Sequence, residues 1–303
     1  MSSETLSPSR ASGTPDADQW HEPALPMRFL LWLKRDPRAS ISLLVLVLIL
    51  GAALLSPWLA PHSPSEQNLD LILAPPDAAH LLGTDDLGRD VFSRLMYGGA
   101  NSLYAALLAV IVALVIGMPL GLIAGFAGGW VDQVISRVID TFLSFPAIIL
   151  AVAVTGAMGI GLTNAMFSVG LVFAPQIARL IRARTLVVRQ ELYVDAARCF
   201  GASKARLLIR HVLPNAIQPV IVQSTLLLAV ALLAEASLSF LGLGVQPPDV
   251  SWGSMIARGY LYMSIVPEQM YAPGLIIMVT AVAFNALGES LRSALDPTMK
   301  GHG

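Results

Sequence analysis

ELYVDAARCFGASKARLLIRHVLPN, residues 191–215, decides how the rest of this chain is read, because it is a charged island in an otherwise oily sequence. Over residues 192–200 the spacing puts Leu192, Ala196 and Cys199 or Phe200 on one helical face. Tyr193, Asp195 and Arg198 fall elsewhere around the wheel, so a short amphipathic helix is expected. Gly201 suits the left-handed residue that ends such a helix, and Ser203 suits the cap that opens the next one. Pro214 lacks an amide hydrogen and disfavours helix in the residue before it, so the second helix is expected to stop near Leu213. The stretch reads as helix, hinge, helix.

Around this island the 303 residues are 55% hydrophobic and only 13% charged, with a mean hydropathy of +0.68. Such a composition excludes an ordinary soluble domain and indicates an all-α polytopic membrane protein. The net charge of −1 gives no reason to expect nucleic-acid binding. The single cysteine, Cys199, excludes an intramolecular disulfide framework and a multi-cysteine metal site.

Six hydrophobic stretches are long enough to cross about 30 Å of hydrocarbon at 1.5 Å per residue. They are expected near 41–59, 103–126, 134–158, 164–181, 217–243 and 273–291. Residues 1–26 read as a disordered tail, and Arg28, Lys34, Arg35 and Arg38 among apolar neighbours read as a helix at the membrane surface. Residues 27–99 then hold that helix, the first span and an extracytoplasmic loop. A core of five spans occupies 100–295, and 296–303 form a short tail. In the second span Gly117, Gly121 and Gly125 repeat at four-residue spacing, which suits close helix packing in lipid, while Pro119 is expected to kink it. Asp140 and Pro146 interrupt the third. Glu235 is the acidic group near the middle of the fifth, to be read as a polar clasp or as part of a translocation path, and Asn285 is polar late in the sixth.

Alternate loops differ sharply in charge. Sixteen of the nineteen basic residues fall on one side and Arg89, Arg94 and Arg258 on the other. By the positive-inside rule, both termini and residues 191–215 are expected in the cytoplasm. The opposite loop contains HLLGTDDLGRDVFSRLMYGGANSL over 80–103, in which Asp85, Asp86, Arg89 and Asp90 read as a capped, solvated turn entering a helix rather than as substrate contacts. A metal site from His80 and these aspartates is a weaker reading, since no fixed ligand spacing supports it, and no metal ligand is assigned.

The spacing Asp195-Ala196-Ala197, three residues, Gly201, nine residues, His211, one residue, Leu213-Pro214 resembles the EAA loop of ABC importer permeases. Asp195 stands where that pattern has Glu, and His211 where it has Ile. With 80–103, GLGVQPPDVSWGSMIARGYLYM over 242–263 and the ending SALDPTMKGHG, the chain over about 28–300 is similar to the C-type permease subunit of dipeptide, oligopeptide and nickel ABC importers. The resemblance implies a type I ABC importer permease fold with six transmembrane helices in the bacterial cytoplasmic (inner) membrane. It also implies coupling to ATPases through Asp195, Ala196, Ala197, Gly201, His211, Leu213 and Pro214. The implied partners are a second, homologous permease subunit in a heterodimer, two ATP-binding subunits that hold ATP and magnesium, and an extracytoplasmic substrate-binding protein, all in membrane lipid. No cofactor of the chain's own is implied.

No phosphate-cradling Gly-x-x-x-x-Gly-Lys-Ser/Thr, His-Glu-x-x-His or nucleophile elbow occurs, so no enzymatic constellation is visible. The competing reading is an ion-coupled secondary transporter, which calls for paired intramembrane charges at a midplane site. Glu235 alone does not supply them, and that reading leaves residues 191–215 idle.

Overall fold

The computed structural model describes residues 36–295. The N-terminal tail, most of the expected surface helix and the tail 296–303 lie outside them. The described residues form nine main helices and no strand: α1 (Pro37–Leu54), α2 (Val91–Ala127), α3 (Gly129–Leu143), α4 (Ala147–Met158), α5 (Leu162–Val188), α6 (Leu192–Cys199), α7 (Gln218–Phe240), α8 (Trp252–Leu261) and α9 (Glu268–Leu295).

Local chemistry sets the ends. The Asp36 carboxylate accepts from the amides of Arg38 and Ala39, and Pro37 occupies the first helical position of α1. Asp90 accepts from the Ser93 amide at 2.7 Å and so opens α2. A reciprocal Ser251–Ser254 capping box opens α8 between the fifth and sixth expected spans.

Helix α2 corrects both a span and a domain boundary. Its 37 residues extend about 55 Å, well beyond the hydrocarbon, because polar residues such as Ser93, Arg94 and Asn101 continue the helix wherever protein covers them. A division at 99/100 therefore cuts a continuous helix. The helix also runs on through Pro119. The expected turn before it is buried rather than solvated: Asp85 receives Arg89 Nε at 2.8 Å, Arg94 Nε lies 3.3 Å away, and Arg258 Nη1 is 3.1 Å from Asp86. Gln269 at the start of α9 donates to the Thr84 carbonyl, fixing this loop to the last helix.

Helices α2 and α5 lie side by side and run in the same direction. A Cβ on Gly170 would meet the Ala109 carbonyl, one on Gly117 the Ala174 carbonyl, and one on Gly125 the Thr185 side chain, so both helices advance together. The chain must therefore return across the membrane between them. It does so through α3 and α4, which are not one straight crossing but meet at 94°. Ser144, Phe145 and Pro146 break the helix, and Pro146 precedes α4 in an extended conformation. Counted as one broken crossing, α3 and α4 join α1, α2, α5, α7 and α9 to give six. Helices α5 and α9 also extend beyond the expected spans, α5 carrying Arg182 and Arg184 in its last two turns and α9 carrying Arg292 in its last.

Both polar ends are thereby defined. Residues 191–216, the end of α5 and the end of α9 form a basic end. The loops before α2 and around α8 form an acidic one, where the Gly161 amide donates to the Leu243 carbonyl at 3.2 Å.

Candidate functional site

The basic end carries residues 191–216 as a folded element. α6 ends at Phe200, and Gly201 follows with φ +81°. The amide of Ala202 donates to the Ala197 carbonyl at 3.1 Å and that of Gly201 to Arg198 at 3.0 Å, the paired bonds of a Schellman stop. Ser203 accepts from the Arg206 amide and opens the second helix.

That helix does not stop near Leu213. Lys204–Arg206 passes into a π-helical stretch, Leu207–Val212, and then into Leu213–Ala216, with Pro214 in the first turn of the last piece. The wider π turn shifts the backbone bonds, as where Leu213 donates to Leu208, so that Pro214 begins a new α turn. The Asn215 side chain donates to the His211 carbonyl at 2.7 Å.

One side of this element is buried and the other is bare. Val194, Leu207, Val212 and Ala216 join the core, and Ala197, Leu208 and Leu213 pack against it. On the other side Leu192 is 85% exposed, Phe200 92% and Ile209 65%, with Ala196 between them. Asp195 pairs with Arg198 at 2.9 Å, and both side chains are more than half exposed. Such a pair adds little to stability. His211 is half-buried and Pro214 exposed. Burial pushes the Tyr193 hydroxyl above its ordinary pKa, with Glu191 adding to the shift, so it stays protonated at neutral pH.

The base of the element is tied down. Arg189, which directly follows α5, donates from Nη1 to the carbonyls of Gly125 at 2.8 Å and Phe126 at 3.3 Å, capping the end of α2. Arg182 holds Asp132 of α3 with two bonds, the second at 2.8 Å. Gly117, Gly121 and Gly125 all face α5, where any side chain would overlap it. Residues 191–216 are thus joined to α2, α3 and α5 through short hydrogen-bonded links. The capping role of Arg189 and the matching Gly170 on α5 escape sequence reading, since neither carries a pattern of its own.

Glu235 is fully buried, in the last third of α7 rather than its middle. Ser239 donates to its Oε1 at 2.7 Å and Ser102 of α2 to its Oε2 at 3.3 Å, while the amide of Trp252 donates to the Ser102 hydroxyl at 3.0 Å. The carboxylate therefore joins α7, α2 and the start of α8. Removing both acceptors in Glu235→Leu strands two buried hydroxyls and should cost roughly 2–3 kcal/mol, whereas Glu235→Gln, keeping one carbonyl, should lose less than about 1 kcal/mol. Thermal unfolding of the purified subunit in detergent checks this; equal losses in the two variants would contradict the clasp. Asn285 is exposed on α9, on the same stripe as Tyr271, Leu275, Met278, Val282 and Glu289. That stripe borders a groove of about 770 Å³ lined by residues such as Leu82, Ile256 and Met278.

Six crossings, a buried polar clasp and a folded segment with one bare apolar face define a polytopic membrane protein. The chain belongs to the family of binding-protein-dependent transport system inner membrane components, whose family model matches residues 117–301, and it is thus the permease subunit of an ABC importer. The N-terminal TM domain of oligopeptide transport permease C matches residues 28–76. It is 43% identical over 275 residues to a probable D,D-dipeptide transport system permease of Escherichia coli K12, covering 90% of this chain and 92% of that one. A glutathione transport system permease of Shigella flexneri is 40% identical over 283 residues, covering 93% and 91% respectively. Among solved structures, an inward-facing crystal form of the MetNI methionine ABC transporter aligns with a TM-score of 0.57 at 21% identity, over 68% of this chain and 98% of that one. That likeness supports the type I permease fold. The secondary-transporter reading falls with the family assignment.

Proposed function

We propose that this subunit admits peptides or related small peptide-like solutes through a path it shares with a second, homologous permease, driven by ATPases that dock on residues 191–216. The observation that carries the reading is the bare face of Leu192, Ala196, Phe200 and Ile209 on an element whose other face is built into the bundle. The D,D-dipeptide, peptide and glutathione permeases to which the chain is similar support the solute class. A binding protein delivers the solute to the acidic end, and the stripe of α9 with Asn285 faces the second permease and the path. Asp195, Ala196, Ala197, Gly201, His211, Leu213 and Pro214 form the coupling segment, and ATP and magnesium are held by the ATPases. Both termini and the segment are cytoplasmic.

The coupling role is tested at Gly201. Nothing lies within 4 Å of a Cβ placed there, so Gly201→Val adds no clash and changes only the left-handed turn, at about 1–2 kcal/mol. In reconstituted vesicles, uptake per ATP hydrolysed is expected to fall severalfold while the amount of assembled permease is unchanged; wild-type coupling would remove the hinge from the mechanism. The orientation is tested separately, with Cys199→Ser as background. Single cysteines at Gln67 and Lys204, both exposed, should be labelled from opposite faces of the membrane, and labelling from one face would reject the six-crossing topology.

A further inference from the structure

At the acidic end three groups converge that the transport reading does not use. His62 follows the short helical turn Ser56–Leu59, His80 lies in the loop beyond it, and Asp90 caps α2. One ligand atom from each lies within 4.8 Å of the other two. His80 Nδ1 is 3.0 Å from Asp90 Oδ1, and the two imidazoles stack with centroids 4.6 Å apart. A cavity of about 140 Å³ beside them is also lined by Glu66, Asn68 and Gly88.

We propose that His62, His80 and Asp90 bind one divalent transition-metal ion of the zinc class, which clips the exit of α1 to the entrance of α2. Two donors 3.0 Å apart, each about 2.05 Å from one ion, subtend an angle of about 94°, within reach of a distorted four- to six-coordinate site. Two imidazoles with one carboxylate suit zinc, nickel or copper, whereas magnesium and calcium prefer oxygen alone. The ion bridges His80 Nδ1 and Asp90 Oδ1, which lie 3.0 Å apart. Water from the adjoining cavity completes the shell.

The ligands are held before any ion arrives. Asp90 Oδ2 accepts from the Ser93 amide at 2.7 Å, which leaves Oδ1 towards His80. The same Ser93 accepts the His62 amide on its hydroxyl at 3.1 Å, and His62 Nε2 lies 3.1 Å from the Ala79 carbonyl. Such outer contacts orient ligands and typically change metal affinity by about 10–100-fold when removed. Sequence spacing does not announce the set, because His62 lies far from His80 and comes beside it only when the loop folds back.

The test uses the complete transporter with an affinity tag free of histidine, dialysed against buffered zinc. Wild type is expected to retain one more zinc per chain than His62→Ala/His80→Ala, with His21, His211 and His302 present in both as background. Asp90→Asn keeps a good helix cap while removing a charged ligand, and should weaken zinc retention at least 10-fold. Zinc-edge X-ray absorption on the wild type needs no variant and should show two imidazoles with oxygen. Equal retention by wild type and the double variant, or a shell with fewer than two imidazoles, overturns the proposal.

Discussion

Gly121→Val is expected to abolish the stable, assembled permease. A Cβ at this position would overlap the Ala178 carbonyl oxygen and Ile181 Cγ2 on α5. A backbone carbonyl cannot rotate away as a side chain can, so relief requires the two helices to separate. Overpacking ordinarily costs about 1–3 kcal/mol. Here separation also loosens the contacts at Gly117, Gly125 and Gly170, which place backbone against backbone along the same line. In lipid no hydrophobic force restores a separated pair, since packing itself holds it together. A loss above about 3 kcal/mol is therefore expected. It would be seen as disappearance of the monodisperse species in detergent chromatography. Gly51→Val in α1, where no atom lies within 4 Å of the new Cβ, is the control and should elute as wild type. A normal profile for Gly121→Val would mean that α2 and α5 do not pack as described.

Leu192→Asp/Phe200→Asp should leave the permease folded and strip it of its ATPases. Both side chains are almost wholly exposed, so the bundle loses nothing when they change. Burial of a large apolar side chain is worth about 1.5–3 kcal/mol, so two such anchors in a docking groove account for about 3–6 kcal/mol. Their replacement by carboxylates should weaken ATPase co-purification by more than about 100-fold, since each 1.4 kcal/mol is tenfold in affinity. Val194→Asp, two residues from Leu192 but fully buried, should instead destabilise the subunit itself. Retention of ATPases by the double variant would place the docking face elsewhere.

The crossings were legible because hydropathy reports the part of each helix that lipid must cover. Their ends were not. Whether Val91 to Ser102 continues α2 depends on what covers it, and the covering residues, among them Ser251 and Trp252, are more than a hundred positions away. The 94° break between α3 and α4 was foreshadowed by Pro146, but a proline marks where a helix gives way without fixing the angle. In residues 191–216 the Gly201 turn and the Ser203 cap follow from local stereochemistry, and a single sequence carries that information. The fate of Pro214 does not follow, because a π turn lets the helix continue past a residue that would stop an α-helix. Glu235 stood out by its charge, yet its partners are serines and a backbone amide, types too common to signal a clasp.

The most direct test of the account is a cysteine at Phe200, with Cys199→Ser as background, cross-linked in reconstituted vesicles containing the whole transporter. Phe200, 92% exposed, is the most exposed large apolar residue of the coupling segment and lies next to its hinge. A short bifunctional reagent should join it to an ATPase subunit, and the cross-link should arrest ATP-driven uptake until it is reversed. Cross-linking to no ATPase, or uptake that continues unchanged through a cross-linked hinge, would contradict the claim that this segment carries ATP-driven motion into the membrane helices.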